Sequence, residues 1–171
     1  MEHLKQIIRD IPDFPKPGIL FRDITPLLAN TETLQLTIKG LVEPFREAGI
    51  TAIAAMEARG FIFGGLAADE LGTGFVPLRK PGKLPYDTIS ESYELEYGMA
   101  SLEVHTDALN ESDHVLLIDD LIATGGTALA GCRLVERLGA TVAGCAFVIE
   151  LDELQGRRML ADYQIHSLLH Y

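Results

Sequence analysis

The sequence predicts an α/β protein in which a mostly parallel, twisted sheet is flanked by helices. Short apolar segments typical of buried strands alternate with segments of helical spacing, and this alternation implies right-handed crossovers between parallel strands. The run at residues 115–118 is apolar at every position, as expected of a central strand buried on both faces. In such sheets, ligands bind at the carboxyl ends of the strands.

The individual elements follow from local patterns. We predict a short helix at residues 2–8, then an ordered loop without regular structure at residues 12–26, which hold four prolines. Helical spacing continues over residues 31–48, although Gly40 and Pro44 disfavour a helix there. The remaining predicted elements are strands at 51–56, 74–78, 115–118, 142–149 and 164–169, a hairpin of strands at 89–97 and 100–104, a helix at 60–71, and a helix after residue 127 that stops at Gly139.

Length and composition limit the class of protein. A chain of 171 residues suits one domain over residues 1–171, and 47% hydrophobic with 23% charged residues is ordinary for a globular protein. No apolar run has the length of a membrane span and residues 1–9 lack a signal-peptide pattern, so we expect a cytoplasmic protein. Cys132 and Cys145 lie in apolar patterns, which predicts core residues in a reducing compartment rather than a metal site.

The net charge limits the partners. It is −11, from 14 basic and 25 acidic side chains, which disfavours nucleic acid because binding to its phosphates requires a basic surface. A small phosphorylated substrate stays compatible with this charge. Exposed charges are screened over about 8 Å, whereas charge-assisted hydrogen bonds in a pocket contribute about 1.5–3 kcal/mol each.

Residues 115–127, VLLIDDLIATGGT, combine a strand, two aspartates, a glycine turn and the start of a helix. A helix N-terminus binds anions through its unpaired N–H groups, and glycines let the backbone approach a phosphate closely. Because a phosphate would repel Asp119 and Asp120, we expect these carboxylates to accept hydrogen bonds from ribose hydroxyls or to hold Mg²⁺. The predicted ligand is a ribose phosphate, with its phosphate on Ala123, Thr124, Gly125, Gly126 and Thr127.

The alternative interpretation of this segment is a tight strand-to-helix turn in which Asp120 caps the helix. The sequence contains neither a Walker A loop nor a dinucleotide-binding fingerprint, so those two phosphate-binding motifs are excluded.

Three further segments are candidates for the same site. Residues 57–60, EARG, repeat the order of strand end, turn and helix start, and Arg59 is suited to two-pronged phosphate contact. The basic residues 79–83 predict either a solvated loop or a mobile lid that closes over a polyanion and excludes water. Phe21, on the stiff proline-rich segment, either fills the core or stacks on a flat base.

Five segments in this sequence resemble the type I phosphoribosyltransferase family. They are PGILFRDITPLL (17–28), AMEARGFIFG (55–64), RKPGKLP (79–85), SYELEYG (92–98) and VLLIDDLIATGGT (115–127), in family order over most of the chain. The last is specific to the superfamily, whereas FRDITP, EARGF and LEYG are typical of its adenine branch. Ile122 and Pro81 are mild departures from the family pattern.

The resemblance implies the type I phosphoribosyltransferase fold, with a small N-terminal base-binding hood near residues 1–30 and a flexible lid loop and hairpin near residues 79–104. It implies a purine-salvage enzyme that transfers the 5-phosphoribosyl group from PRPP to N9 of adenine and forms AMP and pyrophosphate with Mg²⁺. The metal would be held mainly by PRPP and waters, with Asp119 and Asp120 as candidate ligands. A homodimer is also implied, because in this family a lysine of the basic loop often reaches across the dimer interface.

The resemblance also implies roles for individual residues. Residues 123–127 would bind the 5′-phosphate, and Phe21 would stack on adenine while backbone groups of Leu20 and Arg22 bind its edge. Glu96 would be a general acid/base candidate with Tyr97 beside it in the lid, although a solvent-facing strand glutamate is the alternative for Glu96. The residues expected to act in catalysis are Glu96, Arg59, Asp119 and Asp120. The residues expected to bind pyrophosphate are Glu57, Ala58, Arg59, Arg79, Lys80 and Lys83.

Two other functions stay open at the level of sequence. One is an enzyme of the same superfamily that acts on a 6-oxopurine or a pyrimidine, which the FRDITP segment disfavours. The other is a non-catalytic nucleotide sensor, which the acidic net charge and the lack of an added nucleic-acid-binding segment disfavour.

Overall fold

The computed structural model describes residues 2–94 and 98–171, so the predicted site residues Glu96 and Tyr97 lie outside the described part. The strands are β1 (Arg9–Pro12), β2 (Leu20–Asp23), β3 (Ala52–Met56), β4 (Gly74–Leu78), β5 (Thr88–Glu94), β6 (Met99–His105), β7 (His114–Ile122), β8 (Thr141–Glu150) and β9 (Ile165–His170). The helices are α1 (Glu2–Lys5), α2 (Thr25–Ala29), α3 (Thr31–Val42), α4 (Gly60–Leu71) and α5 (Gly126–Arg137), with 3-10 turns at Glu43–Phe45, Asp152–Leu154 and Gly156–Leu160.

A parallel sheet of order β4-β3-β7-β8-β9 forms the centre of the structure, which confirms the predicted fold class. The chain passes from β3 outward to β4 and then returns to β7 on the other side of β3. The strand order therefore reverses between β3 and β7, where Ala55 lies opposite Ile118. A crevice outside the carboxyl ends of the strands at such a point is the usual ligand site of an open α/β sheet.

Apolar side chains cover both faces of this sheet. Ala52, Ala54 and Met56 of β3 belong to a core that includes α5 and the β5–β6 hairpin. Ile53 and Ala55, the alternate positions, belong to a second core that includes α3 and α4. Because successive strand residues point to opposite faces, one short apolar strand contributes to both cores.

The N-terminal region is more regular than its prolines suggested. The predicted helix at 2–8 ends at Lys5, and the prediction of no regular structure at 12–26 was wrong, because β2 pairs antiparallel with β1 and α2 begins at Thr25. The prolines are compatible with this arrangement. Pro12 ends β1, and Pro26 lies in the first turn of α2, where a missing N–H breaks no helical hydrogen bond.

Two other elements differ in length from the prediction. The helix predicted at 31–48 ends at Val42 and continues as a 3-10 turn that contains Pro44, which cannot donate the next helical hydrogen bond. Strand β7 extends to Ile122, so Asp119 and Asp120 lie within the last four residues of the strand rather than beyond its end.

Other predictions agree closely with the structure. Helix α4 and strand β4 have the predicted bounds, and β5 and β6 form the predicted antiparallel hairpin. Cys132 and Cys145 are buried core residues with free thiols, and their Sγ atoms lie 3.5 Å apart. Within residues 2–94 and 98–171, no helix has the length and apolar character needed to span a bilayer.

Candidate active site

The carboxyl ends of β3 and β7 open into one cleft of about 390 Å³. Residues 57–59 line one side and residues 119–125 line the other, with Thr127 at the start of α5. The two candidate anion sites are distant in sequence, yet the pairing of β3 with β7 places them in a single cleft. Tyr93 of β5 also lines it, a residue to which sequence analysis assigned no role.

Residues 123–127, the predicted phosphate turn, have a backbone geometry that suits anion binding. Gly125 has a φ of +86°, in the left-handed region that favours glycine, and it precedes the first residue of α5. No side chain caps this helix N-terminus, so the interpretation of Asp120 as its cap is wrong. Ala123, Thr124, Gly125 and Thr127 line the cleft, whereas Gly126 faces the hairpin, where an added Cβ would lie 3.3 Å from the Glu94 carbonyl oxygen.

The two aspartates have different surroundings. The Asp120 carboxylate is buried, and its Oδ2 atom lies 2.8 Å from Nε of Arg59. Asp119 Oδ1 accepts a hydrogen bond of 2.8 Å from the Asp120 backbone N–H. Desolvation by burial and the neighbouring Asp120 carboxylate raise the pKa of Asp119 well above its ordinary value. The pair therefore consists of Asp120, whose charge is balanced by Arg59, and Asp119, which takes up a proton more readily.

Helix α4 approaches these carboxylates closely. A Cβ on Gly60, its first residue, would lie only 2.7 Å from Asp119 Oδ1, so the approach depends on the absence of a side chain there. Arg59 precedes Gly60, and its guanidinium carbon also lies 5.5 Å from the centre of the Phe21 ring. Arg59 thus joins the acidic pair to the N-terminal segment.

The Glu57 side chain holds the basic loop that follows β4. Its carboxylate accepts hydrogen bonds from the Lys80 backbone N–H and, at 3.1 Å, from Nη2 of Arg79. Burial opposes ionisation, but these two hydrogen bonds outweigh it and lower the pKa of Glu57. The loop is closed further by the hydrogen bond from Arg79 Nη1 to the Lys83 carbonyl, 3.2 Å. Arg79, Lys80 and Lys83 therefore lie beside the cleft, outside its lining.

The N-terminal segment presents an aromatic side chain near Arg59. Phe21 is half-buried and packs edge-to-face with Phe14, with ring centres 5.1 Å apart. Asp23, which sequence analysis missed, is buried and accepts hydrogen bonds from the backbone N–H (2.9 Å) and the hydroxyl (2.8 Å) of Thr25. These hydrogen bonds lower the pKa of Asp23 and fix the start of α2. The sequence did contain a signal for this role, because an aspartate two residues before Thr25 and Pro26 is placed to accept hydrogen bonds at a helix start.

A second group of ionisable residues lies near the carboxyl end of β8. Glu150, Asp152 and His170 approach one another closely enough to share a ligand. However, Arg157 binds the Glu150 carboxylate through two hydrogen bonds of 3.0 and 2.7 Å. A guanidinium in this position supplies the positive charge that a metal would, so the group is an ion-pair network rather than a metal site.

Comparison with known proteins agrees with this site. Residues 27–167 match the phosphoribosyl transferase domain family. A relative named adenine phosphoribosyltransferase from Nitrosococcus oceani is 67% identical over 171 residues, with 100% of each chain covered. The crystal structure of adenine phosphoribosyltransferase from Rhodothermus marinus is 57% identical, with a TM-score of 0.95 and coverage of 99% of this chain and 97% of that one. The Saccharomyces cerevisiae enzyme, 42% identical with a TM-score of 0.92 and coverage of 98% and 97%, was crystallised with an imino-altritol bisphosphate and adenine.

The chain therefore belongs to the phosphoribosyltransferase family, and its cleft brings together two strand-to-helix turns and a carboxylate pair. Within that family it belongs to the adenine phosphoribosyltransferases, because relatives of that name match it over its full length. The resemblance drawn from the five sequence segments is confirmed, including the narrower assignment to the adenine branch.

Proposed function

We propose that this cleft transfers the 5-phosphoribosyl group of PRPP to adenine and forms AMP and pyrophosphate, the purine-salvage reaction of a glycosyltransferase. The observation that carries the proposal is the position of Asp119 and Asp120 between two anion-binding turns. PRPP has the matching order of groups, with a phosphate at one end, ribose hydroxyls in the middle and pyrophosphate at the other end. Membership in the adenine phosphoribosyltransferases supports the same reaction.

The phosphate end of PRPP is assigned to the start of α5. The N–H groups of residues 123–127 and the hydroxyls of Thr124 and Thr127 donate to the 5′-phosphate. The ribose hydroxyls then donate to Asp119 and Asp120. In this arrangement Asp120 exchanges its ion pair with Arg59 for the sugar, and Arg59 is released toward the pyrophosphate.

The reaction is a displacement at the anomeric carbon through an oxocarbenium-like transition state. Pyrophosphate is a weakly basic leaving group, so its departure needs little proton transfer. Catalysis then rests on the placement of the two substrates and on charge stabilisation by Arg59 and the basic loop, aided by the backbone of residues 57–58. The purine proton is assigned to Glu96, with Tyr97 in the lid; both residues lie outside the described part of the chain.

The carboxylate pair also fits a Mg²⁺ ion. Carboxylate oxygens are the hard donors that Mg²⁺ prefers, and two of them leave positions for waters and for oxygens of PRPP, as is usual for this metal. When bound with PRPP, Mg²⁺ would neutralise charge on the pyrophosphate as it leaves. Asp119 and Asp120 are the residues proposed to contact the metal or its waters.

Adenine is assigned to the hood, the segment that contains β1, β2 and α2. Phe21 supplies a ring for stacking, and backbone groups of Leu20 and Arg22 are assigned to the base edge. Within the described chain β2 pairs with β1 alone, so one edge of this strand is open. A backbone carbonyl accepts from the exocyclic amine of adenine, whereas hypoxanthine presents a carbonyl at that position. Two facing acceptors cost roughly 1–3 kcal/mol, which favours adenine.

We further propose that two copies of the chain, each one domain, form a homodimer through α4 and β4. Ile62, Leu66 and Phe75 expose 40%, 39% and 37% of their surface, and Ile62 and Leu66 are one helical turn apart on the same face. The basic loop directly follows β4, so a lysine from one copy would lie near the partner's cleft. The free, buried thiols of Cys132 and Cys145 support placement in the reducing cytoplasm.

The direct test supplies purified protein with PRPP, Mg²⁺ and one nucleobase at a time. We expect AMP and pyrophosphate from adenine and little product from hypoxanthine, guanine or uracil. Product from another base but none from adenine would overturn the base assignment. Binding of PRPP without turnover of any base would instead favour the nucleotide sensor.

A further inference from the structure

A segment that sequence analysis did not assign to the site contacts the phosphate turn. The 3-10 turn Gly156–Leu160 follows β8, and the Gly156 backbone packs directly against residues 123–125. A Cβ on Gly156 would lie 2.2 Å from the Ala123 carbonyl oxygen and 2.9 Å from the Gly125 nitrogen. Conversely, a Cβ on Gly125 would lie 2.4 Å from the Gly156 carbonyl oxygen. Because both partners are backbone, neither can relieve a clash by side-chain rotation.

Gly156 is required at this contact because there is no room for a side chain, not because of its backbone conformation. Its φ lies outside the left-handed region, and the positive φ of the turn, +51°, belongs to the preceding residue, Gln155. An alanine at position 156 would therefore have an accessible backbone conformation but no room for its methyl group. The close approach of the two backbone segments is the feature that a substitution would change.

The Gly156 segment is also anchored to the sheet. The next residue, Arg157, binds the buried Glu150 carboxylate through Nε and Nη2, and Ser167 donates to the same carboxylate at 2.6 Å. At the other end of the turn, Leu160 is fully buried in the core. Because the segment is anchored on both sides of Gly156, we expect a methyl group added at this position to displace the phosphate turn rather than the Gly156 backbone.

From these contacts we infer that Gly156 is a positioning residue for the phosphate turn, held in place by the Arg157–Glu150 ion pair. Its backbone sets the positions of Ala123 and Gly125, and hence the direction of the N–H groups that bind the 5′-phosphate. This inference rests on the proposed function, which assigns the 5′-phosphate to that turn. The inference predicts different effects on the two substrates, because PRPP carries the 5′-phosphate and adenine does not. The product AMP also carries this phosphate.

The test is Gly156→Ala, with Glu153→Ala as the control, because Glu153 is an exposed residue of the preceding 3-10 turn, Asp152–Leu154. We expect the KM for PRPP and the Kd for AMP to rise about tenfold or more. The KM for adenine should change less than about twofold, and the control should match the wild type. Equal changes in both KM values, or a fall in kcat alone, would overturn the inference.

A second variant keeps the test decisive if Gly156→Ala does not fold. Arg157→Lys keeps the charge but loses the two-pronged contact with Glu150, so we expect a smaller rise in the same KM for PRPP. An unchanged KM for PRPP in this variant would contradict the inference. If the wild-type protein makes no AMP from PRPP and adenine, the proposed function fails, which is a separate result.

Discussion

Arg59 and Asp120 form an ion pair across the cleft, and the two partners differ in their exposure. The Arg59 side chain is 44% exposed, whereas the Asp120 side chain is 10% exposed. A buried carboxylate needs a compensating partner, and Arg59 supplies it at 2.8 Å. In the proposed reaction PRPP brings a new partner to each of them, hydroxyls for Asp120 and pyrophosphate for Arg59.

Arg59→Ala and Asp120→Asn should therefore each lose most turnover while the fold survives. Removal of one charge-stabilising donor from an active site commonly costs about 10²–10³-fold in kcat. We expect a fall of that order in kcat/KM by initial-rate assays, with little change in far-UV circular dichroism. Arg46→Ala is the matched control, because Arg46 also binds carboxylates but lies on the surface away from the cleft. Rates near the wild-type value in both site variants would contradict the site assignment.

Glu150 gives a prediction about pH. Its hydrogen bonds from Arg157, which outweigh the effect of burial, lower its pKa below the ordinary value of 4.5. A carboxyl whose pKa is lower in the folded state stabilises the fold above its unfolded pKa, and that contribution is lost as the pH falls through the folded pKa. The Tm of the wild type should exceed that of Glu150→Gln near neutral pH, and the difference should shrink below a pH of about 4.5.

Thermal unfolding of both proteins across this pH range, monitored by circular dichroism, measures the difference. Glu47→Gln, at an exposed glutamate, is the control. A Tm difference between wild type and Glu150→Gln that is independent of pH would show that the ion pair is not its source.

At the scale of elements, the hood is attached to the far end of the chain. The guanidinium of Arg22 in β2 lies 4.0 Å from the centre of the Tyr171 ring. The backbone of Tyr171 is held in turn by β8, because its N–H donates to the Glu150 carbonyl at 3.0 Å. Tyr171 therefore links β2, the strand that carries Phe21, to the end of β8.

Tyr171→Ala should loosen the hood and weaken adenine binding selectively. Loss of a cation–π contact and its packing is worth about 0.5–2 kcal/mol, so we expect the KM for adenine to rise several-fold. The KM for PRPP should change less, because the hood approaches the proposed PRPP site at Arg59 through Phe21, whereas the phosphate turn lies between β7 and α5. The opposite pattern, with PRPP affected and adenine not, would refute this role, and Tyr171→Phe should behave as the wild type.

Two loops near the cleft are each held by an ion pair between a glutamate and an arginine. Glu57 binds the Arg79–Lys80 segment beside residues 57–60, and Glu150 binds Arg157, which follows the Gly156 backbone that packs on residues 123–125. Each carboxylate lies near the end of a buried parallel strand. Glu57 engages an arginine that follows the neighbouring strand β4, and Glu150 engages an arginine from the connection that follows β8. In the proposed function, these ion pairs place cationic or backbone groups next to the residues assigned to pyrophosphate and to the 5′-phosphate.

At the scale of the whole molecule, a single copy leaves the apolar side chains of Ile62, Leu66 and Phe75 exposed on α4 and β4. We expect sedimentation equilibrium to give twice the chain mass of 18.7 kDa. Leu66→Glu should shift the protein toward the monomer, because a charge in an apolar interface is desolvated without a partner. Leu154→Glu, at an exposed leucine outside this face, is the control. A monomeric wild type would refute the proposed dimer.

Much of the fold and of the site was predictable from contiguous residues. The sequence VLLIDDLIATGGT specifies a buried strand, its acidic end, a glycine turn and a helix start within thirteen positions, and the structure has these elements in that order. The bounds of α4 and β4 were equally local. Strand β2 was missed because pairing with β1 outweighed the loop preference of the surrounding prolines.

Local patterns were thus sufficient for the α/β class and for the two strand-to-helix turns at residues 57–60 and 119–127, because each depends on neighbouring residues that share one strand, turn or helix end. Five such local segments together indicated the family. Three other features depend on the order of strands in the sheet. They are the union of those turns in one cleft, the contact of Gly156 with Gly125 and the contact of Arg22 with Tyr171. Strand order brings together residues that are far apart in sequence, and their spacing carries no periodic signal, so these contacts are visible only in three dimensions.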